Sequence, residues 1–320
     1  MRRATKVWLI TGASLVLLGC ILFAGVMTAL KWDFSKLSTV RYETNTHEVS
    51  EAFRDISLTT DTADIVFALS DDGKCRVECR EEENAKHSVT VEHDTLTVKS
   101  SNRKSWYDYI GFFFGTQKIT VYLPEAEYNA LSVRESTGNI EIPKDFSFAR
   151  VDISASTGNV GFFASAREAV RIQTSTGNIR VEDASAGSLD ISAVTGTVTV
   201  SGATCGGDIT VGVSTGKVLL TDILCENIIS SGTTGRVSLS RVIAKNKLSI
   251  ERSTGDVKLT GCDAAALYVK TNTGNVTGSL LTDKVFITDT KTGSVDVPQT
   301  AAGGRCEIRT DTGDIKIEIE

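Results

Sequence analysis

Asp152, Arg171 and Asp190 are the residues whose types and spacing first suggest chemistry: they recur 19 residues apart and alternate in sign. If each step carries the chain to the next stacked strand, the two carboxylates sit about 9.6 Å apart, two strand spacings of about 4.8 Å. That is near the separation used by inverting glycosidases, so the trio would suit polysaccharide cleavage. A second series points elsewhere. Glu251, Lys270, Asp289 and Arg309 recur with nearly the same step and also alternate in sign. Like charges one strand apart repel, whereas opposite ones each contribute roughly a few tenths of a kcal/mol. Alternating charge is therefore read as a stacking device, and no catalytic residue is assigned.

Other reactive side chains are sparse. Histidine occurs only as His47, His87 and His93. His87 with His93 is the one pairing considered for a metal, and no ligand set is assigned. There is no Ser/His/Asp arrangement and no phosphate-binding glycine loop, so no cofactor is expected. Among seven cysteines, Cys75 and Cys79 have strand spacing, about 13 Å apart and too far to bridge. Cys262 and Cys306 read as buried thiols. Cys205 and Cys225 each follow a recurring glycine by nine residues, which places them on neighbouring strands at a spacing open to a disulfide or to stacked free thiols. Trp106, Tyr107, Tyr109, Phe112, Phe113 and Phe114 crowd one short segment. It reads either as a plug over an open core or as a contact loop for a membrane surface or partner.

The element that positions these residues is a repeat. Thr-Gly recurs in ten regularly spaced copies, with glycines at Gly138, Gly158, Gly177, Gly196, Gly216, Gly235, Gly255, Gly274, Gly293 and Gly313, always 19 or 20 residues apart. Apolar pairs follow most of these glycines by two and four residues, as in Ile140/Ile142 and Val198/Val200, and precede most by seven and five, as in Val151/Ile153 and Leu248/Ile250. Each pair is a short half-buried strand of period 2. A unit this short has no room for a helical crossover but suits one coil of a solenoid. The fold expected is all-β: a parallel β-solenoid of about ten rungs over 129–320, on the order of 45 Å long, with an N-terminal β cap at 53–128.

At each corner, glycine supplies a left-handed backbone, and the preceding threonine is expected to turn its methyl inward. The far end is expected to be bare, ending on the alternating charges of Lys316, Glu318 and Glu320.

The N-terminus predicts one membrane span. Residues 7–30 carry no charge, Arg2, Arg3 and Lys6 precede them, and Trp8 and Trp32 bracket them. Residues 1–6 are then cytoplasmic, 31–52 a linker, and all that follows lies outside the cell membrane. A cleaved signal peptide is the first alternative, but its apolar stretch would be shorter. Lipidation at Cys20 is the second, but ten apolar or small residues follow that cysteine. A net charge of −6 argues against nucleic acid as a partner.

The span, the cap, Leu123-Pro124 before the first rung, and the Ser-Thr-Gly-Asn-Ile/Val strings at 136–140, 156–160 and 175–179 together resemble the toast-rack family of bacterial adhesin candidates. The resemblance covers roughly residues 53–320, with Val194 departing from the usual serine. It implies a stacked β fold and envelope association, and it brings no agreed catalytic residues. Links of some relatives with envelope-stress signalling imply sensing or scaffolding. The expected function is thus non-enzymatic: a cell-envelope surface protein presenting a rigid solenoid to an envelope protein or glycan, adhesin-like or as a stress scaffold. A carbohydrate-active enzyme is the alternative. Ice binding fits poorly, because only four rungs carry Thr-x-Thr.

Overall fold

The computed structural model describes residues 3–37, 41–101 and 115–320. The aromatic contact-loop residues Trp106 to Phe114 lie outside them. A helix spans Arg3–Ala29. Its Thr5–Ala29 stretch holds an 18-residue window with a mean hydropathy of 2.4 and is long and apolar enough to cross a membrane. The helix stops where Lys31 and Trp32 turn left-handed, with the Trp32 amide donating to the Met27 carbonyl at 2.7 Å.

Beyond the helix the chain is a β-solenoid. Strands before the corner glycines stack in parallel on one wall and strands after them on the other, in register from rung to rung. Val151, for example, pairs with Leu131 below and Val170 above, and Val160 with Ile140 and Ile179. The alternating apolar residues of both walls meet in one buried cluster. Val, Ile and Leu fill most of it, and the larger rings Phe67, Phe146, Phe148, Phe162 and Tyr128 gather toward the cap end.

The corner glycines are required twice over. All ten hold φ between 131° and 159°, a region that side chains avoid. A Cβ on any of them would also lie closer than 3.0 Å to a backbone carbonyl on the adjacent rung. Sequence reasoning had only the first requirement.

The corner threonines do not behave as expected. All ten are exposed. The turn begins one residue early, so both residues before each glycine face solvent. The inward hydroxyl comes from three residues before the corner. There Thr271, Thr290 and Thr310 donate to the carbonyls of Gly255, Gly313 and Gly274 at 3.2, 2.9 and 3.1 Å. After the glycine, an asparagine ladder ties the rungs. Asp64 Oδ1 accepts from the Asn139 amide, Asn139 Oδ1 from Asn159, Asn159 Oδ1 from Asn178, and Asn178 Oδ1 from the Thr197 amide.

Stacking starts below the first Thr-Gly corner. Strands Asp55–Thr62 and Asp64–Leu69 form a coil under the Gly138 rung, with Thr62 opposite Thr137 and Ala63 at the corner. Thr95–Ser100 and Lys118–Leu123 form a further parallel layer beneath it. Antiparallel strands then end the stack. His87–Glu92 pairs with Thr95–Ser100, Cys75–Glu82 with Lys118–Leu123, and Tyr42–Val49 with Cys75–Glu82.

The far end differs from the sequence expectation in order. The Gly274 rung pairs not with the next rung in sequence but with the last one, Lys270 standing opposite Arg309. The Gly293 rung lies outside, its Asp289 opposite Arg309 on the other side. The C-terminal strand Ile315–Ile319 is therefore enclosed between Val276–Leu280 and Val295–Asp296 rather than forming a bare edge. The physical reason is apolar content. The inserted rung buries Cys306, Ile308, Ile315 and Ile317 almost completely, whereas the outer rung offers the partly exposed Phe286, Thr288 and Val297 and the exposed Val295. This order also breaks the alternation expected of the second charge series, which runs Glu251, Lys270, Arg309, Asp289 in space.

Candidate functional site

The Asp152–Arg171–Asp190 column is in register on adjacent rungs, as the spacing predicts. Arg171 donates to Asp190 Oδ2 from Nε and Nη2, both at 3.0 Å. The trio stands on the flat outer wall, and none of its members lines any of the cavities described below. A glycosidase needs its acid and base to enclose a sugar ring from two sides; here all three project from one surface.

That surface is otherwise small, neutral and polar. From the Gly158 rung to the Gly235 rung, the residue four before each corner is Ser154, Gln173, Ser192, Gly212 or Ser231. Beside it runs a column of residues two before the corner, with hydroxyls at Ser136, Ser156, Ser175, Ser214, Thr233 and Ser253, interrupted by Val194. The ten corner threonines complete the array, and none of their hydroxyls enters a hydrogen bond among the described residues. Strand stacking repeats these groups every ~4.8 Å.

Two cavities lie at the cap end. One of ≈ 500 Å³ lies against the first corner, lined by Tyr42, Asp64, Glu82, Gln117 and Asn139 among others, with Gly115 at its rim. Beside it Glu135 is buried, accepting from the Ala63 and Thr137 amides at 3.2 and 3.1 Å, while Oε2 has no partner among the described residues. Burial pushes its carboxyl up to about 7, the two amide bonds opposing only part of the effect. Another cavity of ≈ 610 Å³ is bordered by Val49, Phe53, Cys75, Pro124 and Tyr128. A third, ≈ 390 Å³, sits at the far end between Phe286 and the Pro298–Ala301 turn. A fourth, ≈ 170 Å³, lies beside Tyr268 and Glu307.

One buried cation also lacks a carboxylate. Arg252 donates to the carbonyls of Val213 and Ser231 at 2.8 and 3.1 Å and to Ser230 Oγ at 3.2 Å. Burial lowers its pKa to about 10. It crosses the space a side chain on Gly232 would fill, so it reads as a tie across three rungs.

Cys205 and Cys225 stand one above the other in the buried column Ala186, Cys205, Cys225, Ala244. Both are free thiols in this structure. Burial pushes them to about 11 and about 12, respectively. His87 and His93 are not brought together. His87 opens its strand with a buried side chain, while His93 sits in the exposed turn beyond its end. His87 instead meets Cys79 and Glu81, with one ligand-capable atom of each within 4.8 Å of the others. Sequence reasoning missed this group. Its only signal was Cys79-x-Glu81 at strand spacing followed by a histidine just past a short turn.

No curated protein matches the chain. Among solved structures, a candidate adhesin from Bacteroides fragilis aligns with 87% of this chain and 97% of its own at 13% identity and a TM-score of 0.44. A candidate cell-adhesion protein from Clostridium sporogenes aligns over 88% and 100% at 9% identity and a TM-score of 0.22. A candidate lipid-binding protein from Parabacteroides distasonis aligns over 86% and 97% at 11% identity and a TM-score of 0.30. The Toastrack DUF4097 family matches residues 53–212 and 198–320, which together span every rung and all of the cap end but the strand Tyr42–Val49. The chain belongs to that Toastrack family.

Proposed function

We propose that this chain is a non-enzymatic cell-envelope protein: its single helix anchors it in the membrane, and its solenoid stands outside as a rigid surface for binding. The hydroxyl array carries this reading. Flat columns of unengaged Ser and Thr side chains at a fixed repeat are held by in-register strands, so little order is lost when they meet a ligand. Small neutral hydroxyls suit an extended glycan or the backbone of an envelope protein, and the acidic balance of the chain disfavours polyanions. The same platform serves adhesion or scaffolding in a stress complex.

The test uses full-length protein in detergent and immobilised cell-envelope polysaccharide. Lysine at Thr157, Thr176 and Thr195 together should leave the thermal midpoint within a few degrees, since all three are exposed. Binding should fall at least tenfold. Binding that survives the triple change would remove the array from the reading, and turnover of the polysaccharide that is lost in Asp152→Asn would replace it with an enzyme.

A further inference from the structure

Glu81 is fully buried, and among the described residues it has no lysine or arginine partner. Its carboxylate is held by Asn45 Nδ2 at 2.7 Å, the His87 amide at 2.6 Å and His87 Nδ1 at 2.8 Å. Cys79, two residues earlier on the same inward face, is fully buried, and His87 is only 6% exposed. The three arrive by topology. Cys79 and Glu81 alternate inward on Cys75–Glu82, and the turn closed by the Glu82–Ala85 bridge returns the chain across the open end to His87 on the other wall. A thiol, a carboxylate and an imidazole are thus gathered in a site closed to water.

We propose that Cys79, Glu81 and His87 form a binding site for a zinc-class divalent transition metal that locks the N-terminal end of the solenoid. Donor chemistry selects the class. A mixed S, O and N set suits zinc and its neighbours, whereas calcium and magnesium take oxygen. Charge supports it as well. A divalent ion with the Cys79 thiolate, the Glu81 carboxylate and neutral His87 sums to zero, which a low-dielectric interior favours. Binding transfers the thiol proton to solvent and leaves His87 protonated on Nε2 alone. Tetrahedral coordination places ligand atoms about 3.3–3.6 Å apart, so the 2.8 Å Glu81–His87 contact opens on binding, while Cys79, already within 4.8 Å of both, needs little movement.

The fourth position has a candidate as well. His47 Nε2 is buried with no hydrogen-bond partner among the described residues. His47 faces Val77 two register pairs along from Asn45–Cys79, which makes it a diagonal neighbour of Cys79 on the same face, outside the group of three but within reach of a long side chain. With His47 the ion joins the outermost strand to both walls. Burial leaves no path for a substrate, so the role is structural, closing the layer where a solenoid otherwise exposes its core.

The experiment strips full-length protein in detergent with a chelator and titrates it with cobalt(II), then zinc(II). One equivalent should bind, with a thiolate-to-cobalt charge-transfer band and tetrahedral visible bands, and zinc should displace it. Cys79→Ser should abolish the charge-transfer band, and His87→Gln should weaken affinity at least tenfold. Cys262→Ser, a buried thiol elsewhere, should change neither. His47→Gln should keep the charge-transfer band and alter the visible bands; unchanged visible bands would remove His47 from the ligand set. Zinc at a hundredfold excess over its dissociation constant should raise the wild-type thermal midpoint by about 5 °C, a readout that needs no variant to fold. A folded wild-type chain that takes up no stoichiometric metal, or a charge-transfer band persisting in Cys79→Ser, would overturn the site.

Discussion

Paired cysteines can decide the order of the last two rungs. In the structure Lys270 lies opposite Arg309, while Asp289 lies beyond it on the next strand. At about 4.8 Å per strand, Cα atoms of 270 and 309 are one spacing apart and those of 270 and 289 two, about 9.6 Å. A disulfide spans roughly 4.4–6.8 Å between Cα atoms. The double variant Lys270→Cys/Arg309→Cys should therefore oxidise to an intramolecular bridge, and Lys270→Cys/Asp289→Cys should not. All three positions used for the pairing face outward, and the six native thiols beyond the helix are buried, so background exchange is small. The energetics favour the same order. Placing Lys270 beside Arg309 costs at most about 1 kcal/mol at the surface. Enclosing the rung of Cys306, Ile308, Ile315 and Ile317 instead of the rung of Phe286, Thr288, Val295 and Val297 secures a layer of side chains each worth about 1.5–3 kcal/mol when buried. Peptide mapping without reductant reads the bridge. A bridge in the 270/289 pair and none in 270/309 would refute the inserted rung.

Three further outcomes are expected. Gly196→Ala should lower stability by more than the ~1–3 kcal/mol of an unfavourable backbone alone, because its Cβ would press on the Gly177 carbonyl; thermal melts check this, and an unchanged midpoint would contradict the corner geometry. Glu135 titrates near 7 in the fold, above its ordinary carboxyl value, because burial favours the neutral acid. Its contribution is complete below about pH 4.5 and lost as pH rises through 7, worth about 1–3 kcal/mol after allowance for residual solvation. Glu135→Gln should accordingly flatten the fall in thermal midpoint between pH 5 and 8, and an identical slope in the variant would place the titration elsewhere. Alkylation of the denatured, unreduced chain should modify all seven cysteines; a count of five would mean that Cys205 and Cys225 are bridged.

The solenoid was legible because its corner demands glycine at a fixed interval and its walls demand alternation. What the interval hides is order. A 19- or 20-residue step is compatible with either neighbour, and the difference that decides is the poorer apolar content of the Gly293 rung. The connection also depends on glycines, since Gly303 and Gly304 pass close to the carbonyls of Asp283 and Ala265 where no side chain would fit. The coil beneath the Gly138 rung escaped notice because Ala63 takes the corner there without a left-handed backbone. The threonine methyls were placed inward by extending strand alternation one residue too far into the turn. The Cys79–Glu81–His87 group depends on a reversal from one wall to the other, which no local periodicity records.

Placement of the solenoid outside the membrane underlies its reading as a binding surface, and one labelling measurement tests it. Ser253 is exposed on the hydroxyl array, and Cys20 is the one native cysteine that is not buried, lying within the apolar helix. Ser253→Cys expressed in intact cells should react with a membrane-impermeant maleimide as fully as it does after permeabilisation. Labelling that appears only once the membrane is breached would put the solenoid inside the cell and contradict the proposed function.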